Sequence, residues 1–337
     1  MKCTNKNRIN RYHAKVVVYA CLCSLLGGVL SGCGNSCKYD LAYETQGDKS
    51  SFRFTNFDTQ ESAYNGFSSN ICVVSGEVSG NSADIDDCSA AVLFDLNNNQ
   101  VLYAKGAHER LEPASLTKVM TALVALKYGN LDDVYTASSN VEIDESGATM
   151  VGLKAGDTMT LDQALHGLII SSGNDAGVLI AEGISGSVEA FCALMNEEAK
   201  KIGATNCNFV NPHGLTADNH YVTAYDMYLI FKEAIKYDEF NQIINSTSYS
   251  TVYKDRQGES KEMICETTNL FLKGTYNAPE NVKVIGGKTG TTRSARNCLV
   301  LYSKDTAGNP YVSVILKCSE RGILYEQMAE LLAEITN

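Results

Sequence analysis

Two side chains three residues apart, Ser115 and Lys118, open the chemistry of this chain. They lie in Pro113-Ala114-Ser115-Leu116-Thr117-Lys118, which reads as the first turn of a helix. Residues i and i+3 share a helix face, so a hydroxyl nucleophile and an amine that could take its proton come within reach without a distant loop. Such an amine has to be neutral, which burial or a second nearby cation would promote. Two polar strings downstream could complete a site. Ser172-Gly173-Asn174 falls in a break between apolar helical runs, and Lys288-Thr289-Gly290 follows Val284-Ile285-Gly286-Gly287. Glycines weaken a strand unless something approaches its backbone closely, as a substrate bound along that strand would.

The elements that must hold these groups are readable by period. Pro113 suits a helix start, and Leu116, Val119, Met120, Leu123 and Val124 anchor that helix in a core. Ala90–Phe94 and Gln100–Tyr103 form a hairpin turning at Asn97-Asn98-Asn99. Thr160 and Gln163 make a capping box ahead of Leu161, Ala164, Leu165, Leu168 and Ile169. Ser187 caps an amphipathic run that stops at Gly203, and Thr223 with Asp226 starts another helix with Tyr225, Leu229 and Ile235 inward. The last third returns to strands at Thr247–Lys254, Val282–Gly287, Cys298–Tyr302 and Tyr311–Leu316, expected as an antiparallel sheet. A closing helix from about Ile323 to Ile335 has no basic residue, so it should pack on that sheet and not on a membrane.

Ahead of the domain, the first 32 residues read as a secretory signal: Lys2, Lys6, Arg8, Arg11 and Lys15 precede the apolar run Val16–Leu30. The string Leu30-Ser31-Gly32-Cys33 resembles a bacterial lipobox, which makes Cys33 the expected lipidated N-terminus. Residues 33–70, rich in Ser, Asn, Asp and Gly, read as a tether, with Phe52, Phe54, Phe57 and Phe67 as aromatic surface that could pack on the domain. Residues 71–337 are the expected globular domain. Removing the signal lowers the 28 basic residues to 23 against 39 acidic ones, a net charge of about −16. Nucleic acid is therefore excluded as a partner, and membrane attachment falls to acyl chains on Cys33, not to a basic patch.

Eight cysteines remain beyond Cys33, namely Cys37, Cys72, Cys88, Cys192, Cys207, Cys265, Cys298 and Cys318. None has C-x-x-C spacing, so no metal site is expected, and no cofactor. Export permits disulfides of unspecified pairing, and most of the eight read as small buried hydrophobes. The histidines His13, His108, His166, His213 and His220 fit no triad spacing, and no G-x-S-x-G occurs. His213, inside Asn211-Pro212-His213-Gly214, reads as a structural turn residue.

Order and separation make the three weak motifs specific together. S-x-x-K, S-D-N and K-T-G are the signature of penicillin-binding proteins and class A β-lactamases, and here the set stands as SLTK, SGN and KTG. The strings PASLTKVMTAL, SSGNDA, NPHGL and GGKTGTT resemble the low-molecular-mass D-alanyl-D-alanine carboxypeptidases, over about residues 88–320. The resemblance implies an α+β fold of the β-lactamase/transpeptidase type, a helical subdomain against a five-stranded antiparallel sheet flanked by helices. It also implies roles at a peptidoglycan stem peptide ending in D-Ala-D-Ala, and binding of β-lactams. Ser115 would form the acyl ester, Lys118 would accept its proton, Ser172 would relay a proton to the leaving amine, and Asn174 would hold Lys118 and the substrate amide. Lys288 and Thr289 would bind the terminal carboxylate, and the backbone N–H groups of Ser115 and Thr291 would hold the oxyanion. Arg321 lies where the family has a carboxylate-assisting arginine, although its context, Lys317-Cys318-Ser319-Glu320-Arg321, departs from the usual one. Family members often add a β-rich domain and a C-terminal anchor helix; this chain is expected to carry neither, with the lipobox in place of that anchor. A serine β-lactamase, or an idle penicillin-binding lipoprotein, are the alternatives. Gly173 standing where the β-lactamases have Asp weighs against the first, and three intact motifs against the second.

Overall fold

The computed structural model describes residues 72–336. The signal segment, Cys33, Cys37 and the 33–70 tether with its phenylalanines lie outside the described residues.

The framework is a five-stranded antiparallel sheet built from β1 (Cys88–Asp95), β2 (Gln100–Lys105), β7 (Val282–Thr292), β8 (Arg296–Asp305) and β9 (Pro310–Cys318), in the order β2-β1-β9-β8-β7. Side chains alternate between faces along a strand, and here both faces are covered. Ala90, Val92 and Phe94 of β1 turn toward a large helical core, together with Val312, Val314 and Leu316 of β9. Ala91 and Leu93 turn the other way, with Leu299, Leu301 and Ile315, onto Leu324, Tyr325, Met328, Leu331 and Leu332 of the helix α7 (Arg321–Ala333). Burial on both faces explains why β1 is an unbroken apolar run instead of an alternating one. The expected closing helix thus packs on the sheet. Cys88 and Cys318, directly opposite each other on β1 and β9, form a disulfide. Cys72, Cys192, Cys265 and Cys298 are buried free thiols, and Cys207 is half-buried.

The helical side consists of α1 (Thr117–Tyr128), α2 (Leu161–Ile169), α3 (Asn174–Ser185), α4 (Val188–Lys201), α5 (Ala224–Ala234) and α6 (Asp238–Asn245). The capping residues behave as the sequence predicts. Thr160 and Gln163 close a reciprocal box at α2, Ser187 accepts the Ala190 N–H at α4, and Thr223 accepts the Asp226 N–H at α5. Gly203 has φ +88° just past α4, where a side chain would be strained. The helix expected from Pro113 begins instead as a 3₁₀ turn, Ala114–Leu116, before α1 proper, so Ser115 sits in a tighter turn with its i+3 relation to Lys118 intact.

One strand is corrected. Thr247–Lys254, expected in the main sheet, is β5 (Ser248–Lys254) of a second, four-stranded sheet in the order β3-β4-β5-β6, with β3 (Val134–Thr136), β4 (Thr158–Thr160) and β6 (Ser260–Glu266). Its side chains bury only on alternate positions, as suits a sheet with one wet face.

Candidate active site

Ser115 is brought to the site by the turn before α1, and Lys118 lies one turn further on the same face. Lys118 is fully buried. Its Nζ lies 2.8 Å from Ser115 Oγ, 2.7 Å from Asn174 Oδ1 and 2.7 Å from the carbonyl oxygen of His213. Two of these partners are acceptors only, whereas the hydroxyl can also donate. A neutral amine has two N–H groups and one lone pair, so the two N–H groups satisfy Asn174 and His213 and the lone pair faces the Ser115 hydroxyl. The environment favours that neutral form: burial, then the charge of Lys288, hold the Lys118 ammonium well below its usual range, opposed by Asp175.

Ser172 and Asn174 sit at the junction of α2 and α3. Ser172 adopts φ +63°, an uncommon conformation for a non-glycine residue and one that concentrates at functional sites. Asn174 is the first residue of α3, and its N–H donates to the Thr149 carbonyl at 2.8 Å. The next residue, Asp175, is completely buried and accepts the N–H groups of Val151, Gly152 and Leu153. It therefore holds the 149–153 loop against the junction.

Lys288 comes from the middle of β7 and is also buried. Its Nζ donates to Ser172 Oγ and to the Thr289 carbonyl, both at 3.0 Å. Burial pulls it down to about 7. Its direct side-chain partner is thus the hydroxyl of Ser172. Gly290 explains how β7 meets the nucleophile's turn. A Cβ there would stand 2.9 Å from the Pro113 carbonyl and 3.1 Å from Ser115 N, so only glycine lets the strand lie this close. Of the glycines before Lys288, Gly286 answers to a different neighbour: a Cβ there would stand 2.2 Å from the Ile244 carbonyl at the end of α6, so here another part of the protein makes the close approach.

Beside these groups opens a cavity of about 410 Å³ lined by Ser115, Ser172, Thr289, Thr291, Arg321 and Lys273, among others. Its far wall is the segment after β6. Thr268 places its hydroxyl 2.6 Å from that of Thr289, and the Leu270 N–H donates to the Tyr325 hydroxyl at 3.1 Å. Arg321, the first residue of α7, lines the same cavity. The eight expected site residues among the described ones, Ser115, Lys118, Ser172, Asn174, Lys288, Thr289, Thr291 and Arg321, thus lie in the buried network or on the cavity wall. Among the described residues no group of His, Cys, Asp and Glu could hold a metal ion.

Three contributors were missed. Thr268 belongs to no motif. Asp175 was quoted only as part of SSGNDA. His213 acts through its carbonyl, which no side-chain pattern reveals, although the NPHGL string marks the spot.

The D-alanyl-D-alanine carboxypeptidase family matches residues 77–320. The chain belongs to this family. It is 39% identical to D-alanyl-D-alanine carboxypeptidase DacF of Bacillus subtilis over 227 residues, 65% of this chain and 54% of that protein. It is 34% identical to DacC of Escherichia coli over 256 residues, 73% of this chain and 60% of that protein. The chain therefore spans little more than half the length of these family members. Among solved structures, the Streptomyces K15 DD-transpeptidase superposes with a TM-score of 0.69 at 24% identity, covering 76% of this chain and 98% of its own, a likeness of fold. A penicillin-binding protein homolog from Mycobacterium tuberculosis gives 0.67 at 27% identity, over 77% and 95%.

Proposed function

We propose that the protein is a serine-type D-alanyl-D-alanine carboxypeptidase that removes the terminal D-alanine from peptidoglycan stem pentapeptides and is acylated by β-lactams. The observation that carries this reading is the convergence of three chain segments on one point: Lys118 Nζ is 2.8 Å from Ser115 Oγ and 2.7 Å from Asn174 Oδ1, and Lys288 Nζ is 3.0 Å from Ser172 Oγ. Family membership supports the same chemistry.

In this mechanism Ser115 Oγ attacks the carbonyl between the two D-alanines as its proton passes to neutral Lys118. The N–H groups of Ser115 and Thr291 stabilise the oxyanion, each donor typically contributing about 3 kcal/mol. The leaving D-alanine amine takes a proton through Ser172, whose hydroxyl is fed by Lys288. Asn174 keeps Lys118 in register. Thr289 and Arg321, on the cavity wall, receive the terminal carboxylate, with the Lys288 charge behind them. Water then hydrolyses the ester.

We further assign Cys33 as a lipidated N-terminus after signal cleavage, which would hold the enzyme on the outer face of the cytoplasmic membrane, near its substrate. The lipobox string supports this. Among the described residues no single helix is long and apolar enough to cross a membrane. In a bacterium that processes lipoproteins, Cys33→Ser should release the protein from the membrane or leave a precursor, and unchanged processing would overturn the assignment.

The enzymatic reading is tested by incubating the purified protein with a D-Ala-D-Ala pentapeptide and with benzylpenicillin. D-alanine release and a stable adduct on the peptide containing Ser115 are expected. An adduct elsewhere, or penicillin hydrolysed within seconds, would overturn it, the latter in favour of a β-lactamase.

A further inference from the structure

The buried histidine His220 plays no part in the proton transfers above, yet its hydrogen bonds lead directly to the nucleophile's backbone. The Val210 N–H donates to His220 Nδ1 at 3.1 Å, which makes Nδ1 the unprotonated nitrogen. The proton is therefore on Nε2, 2.8 Å from Thr117 Oγ1. Thr117 Oγ1 accepts from the imidazole and donates onward, at 2.8 Å, to the carbonyl oxygen of Ala114. Each member of this chain has one direction available to it, and all three are buried.

Ala114 is not an arbitrary end point. Its carbonyl and the Ser115 N–H belong to one peptide unit, which is planar and trans, so the two point in opposite directions from a rigid plate. Holding the oxygen aims the N–H. That peptide needs holding, because Ala114 has φ +48°, a conformation that strains a residue with a Cβ. A hydrogen bond at the carbonyl also polarises the peptide and strengthens its N–H as a donor. The segment that carries His220 is tied to the approach to Ser115 by the paired backbone bonds of Leu111 and Val222, both 2.9 Å. Gly214 packs against the same carbonyl and the same hydroxyl: a Cβ there would fall 1.8 Å from Ala114 O and 2.8 Å from Thr117 Oγ1.

We propose that His220, through Thr117, is a positioning residue for the oxyanion donor: the relay from imidazole to hydroxyl to the Ala114 carbonyl aims the Ser115 N–H at the reacting carbonyl oxygen. This rests on the proposed acylation of Ser115. Neither residue lines the cavity.

The test compares wild type with His220→Phe, His220→Gln and Thr117→Val in the full-length protein. Phe keeps a ring against Phe209, which meets His220 edge-on at a centroid distance of 5.8 Å, but has no donor. Gln restores an N–H near the Nε2 position. Val keeps the shape of Thr117 without its hydroxyl. Two quantities are read for each folded variant: the acylation rate per labelled site with benzylpenicillin, and the ester carbonyl stretch of the acyl-enzyme, isolated by difference infrared spectra with carbonyl-¹³C-labelled antibiotic. Full loss of an oxyanion donor costs about 10²–10³-fold, so a misaimed one should slow acylation about tenfold. The stretch should move to higher wavenumber in His220→Phe and Thr117→Val, because the ester oxygen is less strongly hydrogen-bonded, and His220→Gln should bring both readouts back toward wild type. A general loss of stability would lower the labelled fraction but not move the band. Should His220→Phe fail to fold, Thr117→Val carries the comparison. Acylation and band position both unchanged in the folded variant, or slowing with an unmoved band, would overturn the inference. Failure of the wild type itself to acylate on Ser115 would instead sink the enzymatic reading beneath it.

Discussion

Replacing Lys118 by arginine tests the central claim, because it keeps a cation in place and removes only the capacity to accept a proton. Guanidinium does not deprotonate in proteins. Lys118 Nζ stands 2.8 Å from Ser115 Oγ, within general-base distance, and a base so placed typically contributes 10²–10⁴-fold. Lys118→Arg should therefore slow acylation roughly a thousandfold, about 4 kcal/mol in activation free energy. The wild-type pH profile supplies the matching half of the argument. A free lysine, titrating near ~10.4, would be neutral in only about one molecule in 2,500 at pH 7. Burial first, and the Lys288 charge second, lower Lys118 well below that range, so the neutral base is available at a lower pH than in a free lysine. Below the folded pKa the acylation rate should fall tenfold per pH unit. The assay is pseudo-first-order labelling by a fluorescent penicillin across a pH series, with circular dichroism at each pH and mass spectrometry on Ser115. A folded Lys118→Arg variant that acylates at near wild-type rate would refute the role of Lys118. So would a wild-type rate that stays flat to acid pH, or one that goes on rising tenfold per unit up to about pH 10 as for a free lysine.

Three further outcomes follow from the same geometry. Amidating the substrate's terminal carboxylate should cost roughly 2–3 kcal/mol, about a hundredfold in kcat/KM, by removing the charged partner of the Thr289 and Arg321 wall; equal rates on acid and amide would contradict that assignment. Gly214→Ala should destabilise the protein by about 3 kcal/mol or more and abolish labelling, since φ there is +87° and the new Cβ would collide with the Ala114 carbonyl; a wild-type thermal midpoint would refute it. Acid should weaken the fold through two histidines. Burial lowers His213 to about 3, with the charges of Lys118 and His220 adding to it, and burial lowers His220 to about 4. The unfolded chain then binds more protons than the native one below about pH 6.5, so stability falls with falling pH, by about 1.4 kcal/mol per unit for each histidine. His220→Gln should remove one proton from that slope in denaturant titrations between pH 4 and 6.5, and an unchanged slope would count against it.

What could be read from the chain, and what could not, divides along a physical line. Helix starts at Thr160, Ser187 and Thr223 are local events: a side-chain oxygen meets a backbone N–H three residues away, so the pattern is contained in the sequence. The pairing of Ser115 with Lys118 is local for the same reason. Sheet membership is not. Nothing within Thr247–Lys254 says that its partner is the charge-rich Ser260–Glu266, in which only Met263 and Cys265 are buried, instead of the apolar strands at the end of the chain. The short helix Asp238–Asn245 buries only Phe240, Ile243 and Ile244, too few to announce a period.

The site itself was legible as a set of residue types and not as a set of contacts. The family resemblance gives Lys288 a substrate carboxylate, and no residue type shows that its ammonium also donates to a hydroxyl 116 residues away in the chain. Lys118 needs two acceptors to leave its lone pair on Ser115, and one of them is a peptide carbonyl, which every residue possesses and no residue type identifies. The same holds for the proposed oxyanion donors. What the sequence can mark are the places where a side chain would have been in the way. Gly290 lets β7 reach the backbone of the nucleophile's turn, and Gly214 lets the NPHGL loop close on the Ala114 carbonyl. Glycines at those positions record the backbone approaches, and the backbone approaches set where the reacting groups stand. A substitution that adds one methyl group at either position should therefore disable the chemistry while leaving every catalytic side chain present.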